Sequence, residues 1–113
     1  MEKSNCVFCK IIAGELPAKI VYENEKIIAF KDANPSAPIH ILVVPKKHIS
    51  SLALAKNEDA ELLGEIQLVL RSLAKKFKMG EKFKVINNGR EIGEVSHLHY
   101  HLLGGFKKPL SGV

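Results

Sequence analysis

His97-Leu98-His99-Tyr100-His101-Leu102-Leu103 alternates an imidazole with an apolar side chain at successive positions. In a β-strand neighbouring side chains point to opposite faces, so the stretch predicts a strand with three histidines on one face. Leu98, Tyr100 and Leu102 then line the other face, against apolar neighbours. With five histidines in 113 residues, two further ones in this register would arise about once in 500 by independent placement. The pattern therefore reads as a chemical face rather than as scattered surface.

Two chemistries use such a face. Alternate histidines can supply neutral nitrogens to a transition metal. They also suit phosphate chemistry, because same-face neighbours on a strand lie about 6.5 to 7 Å apart. One imidazole can then attack phosphorus while the next bonds a phosphate or leaving-group oxygen. An ordinary imidazole pKa of about 6.5 leaves the ring substantially neutral at pH 7, and its protonated form can donate.

Outward from that strand, the remaining elements order themselves. Cys6 to Ala13 is a short apolar turn of helix closed by Gly14, a residue suited to a helix C-terminus. Ile20 to Tyr22 and Ile27 to Phe30 are β-type runs joined by Glu23-Asn24-Glu25, which predicts a hairpin. Asn34-Pro35-Ser36-Ala37-Pro38 is a rigid loop, since each proline fixes φ and restricts its predecessor, and it leads into a strand from Ile39 to Val44.

Asn57 is a suitable N-cap for the clearest helix, with Glu58, Asp59 and Glu61 in its first turn. Leu62, Leu63, Ile66, Leu70, Leu73 and Phe77 recur at helical spacing, and Gly80 stops the run. Phe83 to Asn87 and His97 to Leu103 complete about five strands, one long helix and one short one. The strands do not alternate regularly with helices, which predicts an α+β domain with an antiparallel sheet spanning residues 1–113.

Lys and Arg number 17 against 12 Asp and Glu, a net charge of +5, with a sequence pI of about 9.3. Lys46 and Lys47, Lys75, Lys76 and Lys78, and Lys107 and Lys108 fall in separate segments with no interleaved aromatics to stack bases. Nucleic acid is therefore not the expected partner. No apolar signal region follows Met1-Glu2-Lys3-Ser4-Asn5, and no stretch approaches the ~18 apolar residues of a membrane span. A cytoplasmic location without membrane contact is expected. Two cysteines, spaced Cys6-x-x-Cys9, exclude a disulfide scaffold and leave a metal or redox role open.

Asp32, His40 at the end of the Pro-rich loop, and Asn87-Asn88-Gly89 are polar groups beside strands, the kind of perimeter that holds ribose and phosphate. With these residues assembled, the chain resembles the histidine triad (HIT) superfamily, in its branch of Hint-like nucleotide-binding phosphoramidases. The resemblance runs from Cys6-Val7-Phe8-Cys9-Lys10-Ile11-Ile12 through Leu103-Gly104-Gly105. It includes the His-φ-His-φ-His-φ-φ signature, Pro35-Ser36-Ala37-Pro38-Ile39-His40 and Val44-Pro45-Lys46-Lys47-His48-Ile49.

By that resemblance His99 is the nucleophile that becomes a nucleotidyl-histidine, and His101 and His40 contact the phosphate or leaving group. Asp32 is the ribose-binding carboxylate, Asn87 the active-site amide, and Val7, Phe8 and Ile11 fall where relatives cradle the base. Gly93 completes the nucleotide-contacting set. The segment between Asn87 and His97 is one residue shorter than is usual, and Glu94 stands where relatives carry Gln or a hydroxyl. A carboxylate there would repel an anionic leaving group and tolerate an amine.

The resemblance also implies a structural zinc held by Cys6, Cys9, His48 and His97, a set that would close a tetrahedral site with no open position. No catalytic metal is expected. The implied activity is hydrolysis at the α-phosphate of purine nucleoside phosphoramidates of the AMP or GMP type, by a homodimer whose sheets join across the twofold. The alternatives are a dinucleoside polyphosphate hydrolase using the same nucleophile, and a nucleotide-binding adaptor whose turnover is incidental.

Overall fold

The computed structural model describes residues 5–89 and 95–107. Among them, helix α1 (Val7–Ile12) is followed by strands β1 (Ile20–Glu23), β2 (Ile27–Lys31) and β3 (Ile39–Pro45). Helix α2 (Ala60–Lys76) and strands β4 (Lys84–Ile86) and β5 (Tyr100–Gly104) complete the chain. The strands form one antiparallel sheet in the order β1-β2-β3-β5-β4. This is the α+β architecture expected, with one long helix and one short one.

The period-two rule sorts the sheet into two faces. Ile27, Ala29, Ile41, Val43, Leu98, Tyr100 and Leu102 pack against the apolar stripe of α2, namely Ile66, Val69, Leu70, Leu73 and Ala74. Ile28, Phe30, Leu42 and Val44 point the other way and meet Cys6 and Phe8 at α1. The long helix covers the middle of one face, over β3 and β5, whereas the six residues of α1 cover only part of the second. The uncovered part is a cleft.

The entry to α2 differs from the expectation. Asn57 does not cap it; it lies inside a 3₁₀ turn, Asn57–Asp59, that precedes the α-helix. Asp59 does the work instead, its Oδ2 accepting the Lys56 N–H at 2.9 Å and its Oδ1 the Lys47 ammonium at 2.6 Å. The physical reason is tertiary: a carboxylate that satisfies a main-chain donor and a lysine from the β3 side outweighs an Asn cap with neither partner. The hydrogen bond from Lys47 holds the Asp59 carboxyl below the usual carboxylate range and in turn raises the Lys47 ammonium above its ordinary value.

The histidine segment also enters its strand later than the alternation suggests, at Tyr100 rather than His97. His97 N–H bonds Val95 O at 2.8 Å in a bend, and Leu98 N–H reaches Ile49 O at 2.6 Å. The two-face alternation nevertheless persists through the bend. At the far end of β5, Gly105 has φ +77°, and a Cβ there would stand 3.0 Å from the Pro38 Cβ. A glycine is needed for both reasons, and the close approach seats the Pro-rich loop against the sheet. No helix among the described residues is long and apolar enough to cross a membrane.

Candidate functional site

The cleft has a volume of about 1040 Å³ and lies on the α1 side of the sheet. Its apolar wall comes from two sources. Cys6 caps α1, its Sγ accepting the Cys9 N–H at 3.4 Å, and the short helix then presents Val7, Phe8 and Ile11 to the cleft. Phe30 of β2 and Leu42 of β3 form the floor, with Phe8 and Phe30 edge to face at 5.6 Å. All three expected base-cradling residues are thus brought together. Phe30 and Leu42 were missed because Ile27–Lys31 and Ile39–Pro45 are buried on both faces, and a nearly continuous apolar run conceals which residues share the site's face.

Asp32, His40, His99 and His101 line the polar end. Their alignment follows from register. His40 in β3 lies opposite Leu103, and Leu42 lies opposite His101, so His40 and His101 are diagonal neighbours on one face. Their rings are 5.1 Å apart by centroid, with His40 Nε2 at 2.8 Å from His101 Nδ1. Asp32 follows β2 and places Oδ2 3.4 Å from His40 Nε2, while its Oδ1 accepts the Asn34 N–H at 2.8 Å.

His99 is 3% exposed and stands between Phe8 and His101, each ring 5.1 Å away. Its Nδ1 lies 2.7 Å from the carbonyl oxygen of His97. A carbonyl can only accept, so Nδ1 carries the ring proton and the lone pair of neutral His99 lies on Nε2. Asn87 sits behind this residue: its Nδ2 donates to His99 O at 2.9 Å. The amide expected at the nucleotide is here engaged with the backbone of His99 and does not line the cleft. Gly93 and Glu94 lie outside the described residues.

One step along the chain, His97 is fully buried and belongs to a second cluster. Cys6 Sγ lies 3.3 Å from His97 Nδ1, Cys9 Sγ 3.2 Å from His48 Nδ1 and 3.5 Å from His97 Nδ1. All four ligand atoms fall within 4.8 Å of one another. Tetrahedral zinc, with bonds of about 2.3 Å to sulfur and 2.0 Å to nitrogen, sets S···N edges of about 3.5 Å. The donor set and its spacing therefore fit a metal. His97 Nε2 lies 2.8 Å from Pro45 O, which fixes its proton on Nε2 and leaves Nδ1 for the sulfur side, the usual outer bond of a metal-binding histidine. Neither cysteine is in a disulfide.

A profile of the family described as "Scavenger mRNA decapping enzyme C-term binding" matches residues 5–112. A HIT-like protein of Synechocystis is 50% identical over 101 residues, covering 88% of this chain and 89% of its own. A histidine triad protein from Clostridium difficile superposes with a TM-score of 0.89 at 44% identity, over 99% of this chain and 100% of its own. For a HIT family hydrolase from Legionella pneumophila the TM-score is 0.87 and the identity 42%, over 91% and 95% of the two chains.

Proposed function

The chain belongs to the histidine triad (HIT) superfamily, and from that premise we propose that it is a nucleotide-binding hydrolase acting on purine nucleoside phosphoramidates of the AMP-amine type. The observation that carries the reading is the Nδ1 bond of His99 to a carbonyl oxygen at 2.7 Å. It leaves an unprotonated Nε2 on a ring that lines a cleft with an apolar base-sized wall and an acidic residue at its edge.

In this reading the purine stacks among Val7, Phe8 and Ile11, and Asp32 accepts from the ribose hydroxyls. His99 Nε2 attacks the α-phosphorus, the phosphorus–nitrogen bond breaks, and the departing nitrogen takes up a proton and leaves as an amine. Water then attacks the nucleotidyl-His99 phosphorus, releases the mononucleotide and gives back one proton, so the net change is addition of one water. His101 bonds a phosphoryl oxygen with His40 held against its other ring nitrogen, and Asn87 holds the main chain of His99. Positioning and fixed donors account for most of the rate gain, without a catalytic metal.

Cys6, Cys9, His48 and His97 would hold a structural zinc. It would pin α1, and with it the base wall, onto the sheet. The exposed outer edge of β4, with Val85 and Ile86 exposed, supports a homodimer in which the sheets of two copies join, and a cytoplasmic location accords with two reduced thiols. Intact-protein mass spectrometry during turnover of adenosine phosphoramidate, with diadenosine polyphosphate as the competing substrate, tests the reading. A nucleotidyl adduct with preferred turnover of the amidate is expected, and absence of any adduct under rapid turnover would sink it.

A further inference from the structure

His40 and His101 touch nitrogen to nitrogen, at 2.8 Å. One proton must stand between them, because two lone pairs or two N–H groups facing each other at that distance repel. The far side of the His40 ring decides which nitrogen owns it. There the main-chain N–H of Ser36 donates to His40 Nδ1 at 2.9 Å. A peptide N–H cannot accept, so Nδ1 keeps its lone pair and the His40 proton stands on Nε2. From Nε2 it is donated to His101 Nδ1, and neutral His101 consequently carries its own proton on Nε2. The Asp32 carboxylate, 3.4 Å from His40 Nε2, favours the same arrangement.

We propose that the Ser36 N–H is a positioning group that sets both tautomers, so that His101 meets a phosphoryl oxygen as an Nε2–H donor and a transition metal is barred from the Asp32–His40–His101 cluster. The phosphate half rests on the functional reading above; the proton placement does not. By distance alone these three residues could hold a cation, since their ligand atoms fall within 4.8 Å of one another. A neutral imidazole bound to metal through Nε2 must, however, carry its proton on Nδ1. At His40 that proton would point at the Ser36 N–H, donor against donor.

The contrast with the cysteine cluster is instructive. Behind His97 stands the carbonyl of Pro45 and behind His99 the carbonyl of His97, and each places the lone pair on the opposite ring nitrogen. Behind His40 stands an N–H, and the result is a chain of donors. Two of the four residues Pro35-Ser36-Ala37-Pro38 are prolines without an N–H. Within those four residues only Ser36 and Ala37 can donate a main-chain N–H.

Long-range ¹H–¹⁵N correlation spectra of the imidazoles, recorded on the zinc-saturated full chain without nucleotide, test the proposal. His40 and His101 should both be protonated at Nε2. Ser36→Ala keeps the amide and should leave the pattern unchanged, whereas Ser36→Pro removes it and should let His40 populate the Nδ1–H form. Micromolar Co²⁺ should leave the His40 and His101 signals of the unaltered protein in place and perturb them in Ser36→Pro. Should that variant not fold, the unaltered protein decides by itself: a proton on His40 Nδ1, or Co²⁺ bound at His40 and His101, overturns the proposal. So does a folded Ser36→Pro whose tautomers and cobalt response are unchanged. Because no substrate is present, the stated tautomers in a protein that does not hydrolyse phosphoramidates would uphold this inference while removing the functional reading.

Discussion

At the scale of the residue, His97, His99 and His40 divide by what stands behind the ring, a carbonyl oxygen for the first two and a main-chain N–H for the third. His99 presents a lone pair at Nε2 because a carbonyl oxygen takes its Nδ1 proton. Its replacement removes the atom that bonds phosphorus, so His99→Ala should give no nucleotidyl adduct by mass spectrometry. It should still bind nucleotide, since Asp32 and the base wall are untouched. His101→Ala and His40→Ala remove donors rather than the nucleophile, and general acid–base or donor assistance is typically worth about 10²- to 10⁴-fold. Those variants should turn over more slowly by that factor and still yield a detectable adduct. Near-normal turnover by His99→Ala would show that another group attacks.

At the scale of the element, each helix is tied to the sheet by a different chemistry. Helix α1 has six residues, too few to persist alone, and its anchor is the cluster of Cys6 and Cys9 with His48 and His97. Replacing both cysteines by alanine should abolish stoichiometric zinc in metal analysis. It should also lower the melting temperature more than it lowers the activity of the molecules still folded. In a chain of this size even ~2 kcal/mol of lost stability shifts the midpoint by about 8 °C. Full stability in a metal-free, reduced protein would refute a structural zinc.

The entry to helix α2 depends instead on Asp59, whose carboxyl is held below its ordinary value of 3.8 by the Lys47 hydrogen bond. A depressed folded pKa contributes stability that is present above 3.8 and lost as pH falls through the lower folded value. Asp59→Asn should therefore melt earlier than the unaltered protein at neutral pH, and the gap should close in strongly acidic solution. Lys47 has the opposite sense: its raised value means that its contribution is complete below 10.5 and fades only as pH rises beyond that. Thermal unfolding across the pH range checks both signs.

At the scale of the whole molecule, α2 covers the middle of one face of the sheet and α1 part of the other, and the sheet ends at β4 with apolar Val85 and Ile86 exposed. An open strand edge with exposed apolar side chains is a template for pairing, and a symmetric copy is the commonest partner. Sedimentation at micromolar concentration should give twice the 12.5 kDa chain mass. A monomer would mean that the edge is protected in some other way.

What residues alone determined is what side-chain periodicity encodes. Leu98, Tyr100 and Leu102 had to bury and the histidines had to share the opposite face, because a strand alternates regardless of its neighbours. The apolar stripe of α2 was legible for the same reason, at helical rather than strand spacing. The Cys and His set of the candidate metal cluster came from the family resemblance, and its meeting required β3, β5 and α1 to converge. Tertiary structure decided the rest. It chose Asp59 over Asn57 at the start of α2, exposed Phe30 and Leu42 as the floor of the cleft, and moved the first ladder residue of β5 to Tyr100. Above all it set the proton positions, through the His97 and Pro45 carbonyls and the Ser36 amide. Nearly every residue carries the same main-chain N–H and C=O, so their presence marks nothing in a sequence; only folding determines which of them stands behind which ring.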